Sequence, residues 1–97
     1  MEITVYTKED CDRCEQLKNF LRKNNLSFTE KDIVNHEVAY ELLKSEYVVK
    51  NFCDQRGCIV ITPIVKIDGK WMHKEFFDIQ GLSERRAKKI FNIQWSR

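Results

Sequence analysis

Apolar and polar positions alternate over the first seven residues. In Met1-Glu2-Ile3-Thr4-Val5-Tyr6-Thr7, Ile3 and Val5 sit between polar neighbours, the period of a half-buried strand. From Cys14 onward the period lengthens: Leu17 and Leu21 recur on one side with Phe20 beside them, as one face of a helix requires. This pattern predicts a helix over 11–23 that stops at Asn24-Asn25, since Asn tolerates the left-handed conformation. Leu26, Phe28 and Ile33, set among polar residues, read as a second strand over 26–33. Asn35 is placed to cap a second helix over 36–50, with Val38, Leu42, Leu43 and Tyr47 on its buried side.

Residues 51–58 break that pattern and contain Gly57, so a loop is expected. Ile59-Val60-Ile61 begins a strongly β-prone run, interrupted by Thr62-Pro63 and resumed as Ile64-Val65-Lys66-Ile67. Asp68-Gly69 is a hairpin turn signal, with Trp71 to Phe76 as the return strand. Ser83-Glu84-Arg85-Arg86 reads as a helix start, followed by Ala87, Ile90 and Phe91 on one face. Phe91, Ile93 and Trp95 are expected to pack the tail onto the domain. The predicted order is β-α-β-α-β-β-α, an α/β chain with a four-stranded mixed sheet. Its first half is a parallel crossover unit and its second half an antiparallel hairpin closed by a helix.

Composition narrows the picture. The 97 residues suffice for one domain, taken as 1–97. A hydrophobic fraction of 42% with 11% aromatics fills one core. Net charge is +2 with both signs interspersed, which leaves no electrostatic footprint for nucleic acid or a membrane surface. No apolar stretch approaches the ~18 residues of a membrane span, and no leader pattern precedes the first strand. A cytoplasmic monomer is the expectation, and in that setting paired cysteines point to redox chemistry or metal binding. Repeats, phosphate loops, HExxH and nucleophile-elbow patterns are absent from the sequence. The basic last helix reads as a solvated face.

The chemistry-bearing motif is Cys11-Asp12-Arg13-Cys14, lying between the first strand and the first helix. A helix N-terminus presents unpaired N–H groups and the positive dipole end, so it stabilises a thiolate. Two cysteines at this spacing can close a disulfide between the first turn and the residue leading into it. Pro63 is the sole proline and interrupts the most β-prone segment. It removes a ladder donor, which fits an edge, a bulge or a special turn, with Thr62–Pro63 either cis or trans.

Val5-Tyr6-Thr7-Lys8, followed by a short turn and Cys11-Asp12-Arg13-Cys14, resembles the active-site segment of glutaredoxins, a strand ending in Tyr-Thr-Lys and then Cys-Pro-Tyr-Cys. Ile61-Thr62-Pro63-Ile64 through Asp68-Gly69 resembles that family's Thr-Val-Pro strand and hairpin. The element order agrees across nearly the whole chain. The resemblance implies a thioredoxin-like fold, a cis proline facing the nucleophile, and a thiol–disulfide oxidoreductase. On that reading Cys11 attacks a substrate disulfide and Cys14 resolves the mixed disulfide. Lys8, Arg13, Thr62 and Pro63 are the candidate substrate-binding residues, with Lys8 also stabilising the Cys11 thiolate. No bound cofactor or metal is implied. Disulfide-containing proteins are the expected substrates, and glutathione or a thioredoxin-reductase-type protein is the expected electron donor.

Two departures bear on chemistry and partners. Asp12-Arg13 replaces the usual Pro-Tyr, and Glu9, Asp10, Asp12 and Glu15 outnumber Lys8 and Arg13 near the motif. Negative neighbours disfavour a thiolate, so a Cys11 pKa above that of a highly acidic glutaredoxin thiol is expected. After the hairpin, the family's Gly-Gly and acidic residue, which grip glutathione, are replaced by Lys70-Trp71-Met72-His73-Lys74-Glu75-Phe76-Phe77-Asp78. Asp78 remains as a polar group. Trp71 is similar to a tryptophan of glutathione-independent redoxins that serve ribonucleotide reductase; its other reading is packing on the sheet. Cys53 and Cys58 form a candidate second thiol pair with three readings: buried core thiols, a local disulfide eased by Gly57, or metal ligation with Cys11 and Cys14. The two histidines, His36 and His73, are expected at the surface.

Overall fold

The structure is a computed structural model that describes residues 1–58 and 60–92. Ile59, Ile93 and Trp95 lie outside the described residues, so the expectations placed on them go no further. Strand β1 (Ile3–Thr7) leads into helix α1 (Asp12–Lys23), which returns the chain to β2 (Thr29–Asp32). β1 and β2 pair in parallel, with Thr4 opposite Thr29 and Thr7 opposite Asp32. After helices α2 (His36–Leu43) and α3 (Glu46–Phe52), a small hairpin of β3 (Cys53–Asp54) and β4 (Gly57–Cys58) precedes β5 (Ile64–Ile67) and β6 (Lys70–Met72). A 3₁₀ turn at Lys74–Phe76, the hairpin β7 (Phe77–Asp78) and β8 (Gly81–Leu82), and helix α4 (Glu84–Ile90) complete the chain. The main sheet has four strands in the order β2-β1-β5-β6, with β5 antiparallel to both neighbours.

Strand alternation divides the core between the two faces of this sheet. Ile3, Val5, Val65 and Ile67 point to one face, where they meet Leu17 and Leu21 of α1, Ala87 of α4, and Phe76 and Phe91. Tyr6 and Ile64 point to the other, against Leu42 and Val48 of α2 and α3. The β5–β6 turn uses Asp68 and Gly69 with φ of 48° and 87°, the positive pair that a tight primed hairpin turn needs. Ser83 caps α4 by accepting the Arg86 N–H, as its position before the helix predicts.

Several expectations are corrected. The second helix over 36–50 is two helices, because Ser45 leaves the helical conformation and its hydroxyl accepts the Val48 N–H, capping a new start. The break rotates the buried face: Leu42 and Val48 are fully covered, while Leu43 remains 47% exposed. Residues 51–58 finish α3 and form the β3–β4 hairpin rather than a plain loop. The second strand is confined to 29–32, and Val60 and Ile61 lie outside β5, which starts after Pro63. The return strand ends at Met72 instead of Phe76. There the His73 side chain turns inward and the 3₁₀ turn drops Phe76 into the core with no exposure.

Candidate active site

The strand β1 delivers the chain to a turn in which Asp10 takes a φ of 55°, a conformation Asp adopts more readily than most residues. That turn places Cys11 at the N-cap of α1 and Cys14 in its first turn. Their sulfurs are joined in a disulfide with Cα atoms 5.2 Å apart. Cys14 is 1% exposed, whereas Cys11 is partly open to solvent. The Cys14 backbone N–H donates to Cys11 Sγ at 3.1 Å. This N–H of the helix start therefore points at the outer sulfur, where it and the positive end of the helix dipole favour negative charge.

The second wall comes from the loop before β5. Thr62–Pro63 is cis, and both residues are buried. The Thr62 hydroxyl donates to Cys11 Sγ at 3.3 Å. Behind it, His73 Nδ1 lies 2.8 Å from the Pro63 carbonyl oxygen. A carbonyl only accepts, so Nδ1 is the protonated nitrogen in this contact. His73 is only 8% exposed, which overturns the surface placement expected of it; its ring packs edge-on against Phe52 at 5.3 Å between centroids. His36 does lie at the surface.

An open groove of about 700 Å³ runs beside Cys11, and Lys8, Glu9, Asp10, Asp12, Glu15 and Asp32 line it. Lys18 and Glu30 contribute to its wall. Lys18, nearly buried, bridges Glu15 at 2.7 Å and Glu30 at 3.0 Å. These hydrogen bonds, to Glu15 first and Glu30 second, raise the Lys18 pKa despite burial. Glu30 is held below the usual carboxylate range by Lys18 and by the Thr7 hydroxyl, which donates to it at 2.8 Å. The pair was not legible in the sequence, since nothing local links α1 to β2.

Of the expected substrate-binding residues, Lys8 lines the groove with Cys11, Thr62 reaches the sulfur, and Pro63 follows Thr62 through the cis bond. Arg13 does not line the groove: its guanidinium sits 5.2 Å from the centroid of the Phe77 ring. Trp71 packs on the sheet, 5.3 Å from the Tyr6 ring, with Lys66 Nζ 4.9 Å from its own. Asp78 Oδ1 accepts the Gln80 N–H within the β7–β8 turn. Cys53 and Cys58 face each other across β3–β4 and form a second disulfide. The four sulfurs are thus divided between two separate pairs, and among the described residues no group of three or more His, Cys, Asp or Glu side chains is placed to hold a metal ion.

The glutaredoxin family model matches residues 3–72. The chain belongs to the glutaredoxin family. Its members are thiol–disulfide oxidoreductases, and this chain is a glutaredoxin-like redox protein with a CxxC motif at Cys11–Cys14. Among solved structures, a mutant of the thioredoxin-like protein BC3987 is 27% identical, with 96% of this chain and 97% of that one covered at a TM-score of 0.65. The glutaredoxin-like protein NrdH-redoxin from Escherichia coli is 18% identical over 100% of both chains, with a TM-score of 0.59. Glutaredoxin 1 from Francisella tularensis, solved with cacodylate, is 22% identical, covering 94% of this chain and 96% of its own at a TM-score of 0.57. These neighbours establish the thioredoxin-like fold. No curated protein matches the chain. Among the described residues, no helix of this glutaredoxin is long and apolar enough to cross a membrane.

Proposed function

We propose that this glutaredoxin reduces disulfides by dithiol exchange through Cys11 and Cys14, as one domain over residues 1–97 acting as a cytoplasmic monomer. The reading rests chiefly on one asymmetry: Cys11 is open to solvent at the helix N-cap, and Cys14 is buried behind it. The Cys11 thiolate attacks one sulfur of a substrate disulfide, and the other leaves as a thiolate that takes up a proton. Cys14, deprotonated, then attacks Cys11 Sγ and expels the second substrate thiolate. Two electrons have passed to the substrate, and the Cys11–Cys14 disulfide that remains is the state in the structure.

Thr62 supports the Cys11 thiolate through its hydroxyl, and Pro63, next to it in the chain, is a candidate for contact with a substrate chain. Lys8 supplies a cation to the groove. Arg13, held on the Phe77 ring outside the groove, is the least supported of the expected substrate contacts.

Glutathione is one candidate donor for re-reducing the pair. A second reading, recharging by a thioredoxin-reductase-type protein, is favoured by the carboxylates that line the groove against few cations, since they repel an anionic tripeptide. NADPH consumption separates the two, coupled either to glutathione with glutathione reductase or to thioredoxin reductase. Turnover lost in Cys11→Ser and retained with the preferred donor supports the exchange mechanism; turnover undiminished in Cys11→Ser refutes it.

A further inference from the structure

The second disulfide lies close in the chain to Thr62 of the candidate active site. Cys58 is separated from Thr62 by residues 59–61 alone, and Phe52 immediately precedes Cys53. The disulfide closes a hairpin with two residues per strand, a ladder too short to be stable without support. Its other local tie is the Asp54 carboxylate, which accepts the Arg56 N–H at 2.7 Å. Cys58 is exposed, and both sulfur-bearing residues line an open cleft of about 520 Å³ together with Phe52 and Ile61.

From this hairpin a continuous line of contacts reaches Cys11. Phe52 packs on the His73 ring at 5.3 Å. His73 Nδ1 donates to the Pro63 carbonyl at 2.8 Å. Pro63 is joined by the cis bond to Thr62, whose hydroxyl reaches Cys11 Sγ.

We infer that Cys53–Cys58 is a second thiol–disulfide exchange site, reducible by low-molecular-weight thiols, and that its opening loosens the Phe52–His73–Pro63 contacts that hold Thr62 against Cys11. The first thiolate attacks the sulfur of Cys58, the more exposed residue of the pair, forming a mixed disulfide and releasing Cys53 as a thiolate that is then protonated. A second thiolate attacks the small-molecule sulfur of that mixed disulfide, releases Cys58, and leaves the two small thiols joined as their own disulfide. Two electrons enter the protein at a site apart from Cys11–Cys14. The exchange step stands on the hairpin alone; its effect on Cys11 rests on the proposed role of that residue.

The experiment equilibrates the wild-type chain in a series of glutathione–glutathione disulfide buffers, traps free thiols by alkylation and weighs the peptides. Cys53 and Cys58 are expected to become alkylatable together, with a midpoint of their own, and to do so equally in the Cys11→Ser/Cys14→Ser variant. That variant separates failure of this site from failure of the dithiol mechanism. Opening the pair is expected to slow Cys11 alkylation roughly fivefold, the factor carried by one ordinary hydrogen bond. The wild-type comparison needs no substitution, and a folded Cys53→Ser/Cys58→Ser variant should reproduce it. A pair that stays closed in every buffer that opens Cys11–Cys14 overturns the exchange site. A pair that opens without changing the Cys11 rate overturns the coupling.

Discussion

The hydroxyl of Thr62 stands 3.3 Å from the Sγ of Cys11, across 51 positions of sequence. A hydroxyl donates more strongly to a thiolate than to a thiol, so the contact is expected to favour the Cys11 thiolate once the disulfide is reduced. Thr62→Val removes the donor and keeps the shape. It is expected to slow Cys11 alkylation at pH 7 by roughly fivefold, the equivalent of about 1 kcal/mol, while Thr62→Ser retains the wild-type rate. Iodoacetamide kinetics as a function of pH would show this, and an unchanged profile in the valine variant would remove Thr62 from the site's chemistry.

The carboxylates of the groove act in the opposite direction. Glu9, Asp10 and Asp12 line the groove with Cys11, where Lys8 and Lys18 are the cations, and negative charge disfavours the thiolate. Asp12→Asn should speed Cys11 alkylation at neutral pH. Raising ionic strength toward ~1 M, where the Debye length is about 3 Å, should shift wild type the same way and the variant less. A variant that reacts more slowly than wild type would show that Asp12 serves the thiolate by another route.

Lys18 and Glu30 give the fold a defined pH dependence. The folded-state pKa of Glu30 is depressed, so its contribution is present above the unfolded carboxylate value of ~4.3 and is lost as pH falls through the lower folded value. That of Lys18 is raised, so its contribution is complete below the unfolded ~10.4 and is lost as pH rises through the higher folded value. Glu30→Gln should therefore reduce stability at neutral pH and flatten the acid limb of a urea-denaturation series. An acid limb as steep as that of wild type would assign the acid sensitivity to other carboxylates.

Phe76 tests the corrected end of the hairpin. It is fully buried and stacks on Phe91 with centroids 5.5 Å apart. Truncation to alanine leaves a cavity beneath the sheet and should cost about 3–5 kcal/mol, measured by chemical denaturation. Had the return strand continued to this residue, the side chain would have alternated with its neighbours; instead Phe76 and Phe77 are both buried.

Most of the candidate site was legible because its signals are short-range. The alternation in β1, the helical spacing after Cys14 and the motif between them locate a strand, a helix N-cap and two sulfurs within one stretch of chain. Asp68-Gly69 and the cap residues Asn35 and Ser83 were readable for the same reason: each acts on backbone groups only a few residues away. The break at Ser45 was harder, because Val38, Leu42 and Tyr47 fit one continuous helix face as well as two. A serine inside a helix and a serine capping a new one look alike until packing chooses Val48 for the core.

The amino-acid sequence by itself determined the order of the principal elements, the CxxC at a helix start and the presence of a proline in the β-prone run, since periodicity and capping are properties of neighbouring residues. Only the tertiary structure decided that His73 is buried on the Pro63 carbonyl, that Lys18 reaches Glu30, that Arg13 turns to Phe77, and that Cys53 pairs with Cys58 beside Phe52. The physical reason is that burial and the pairing of polar groups depend on what the fold brings alongside. The partners before β5, on β2 or across a hairpin carry no periodic mark in the sequence.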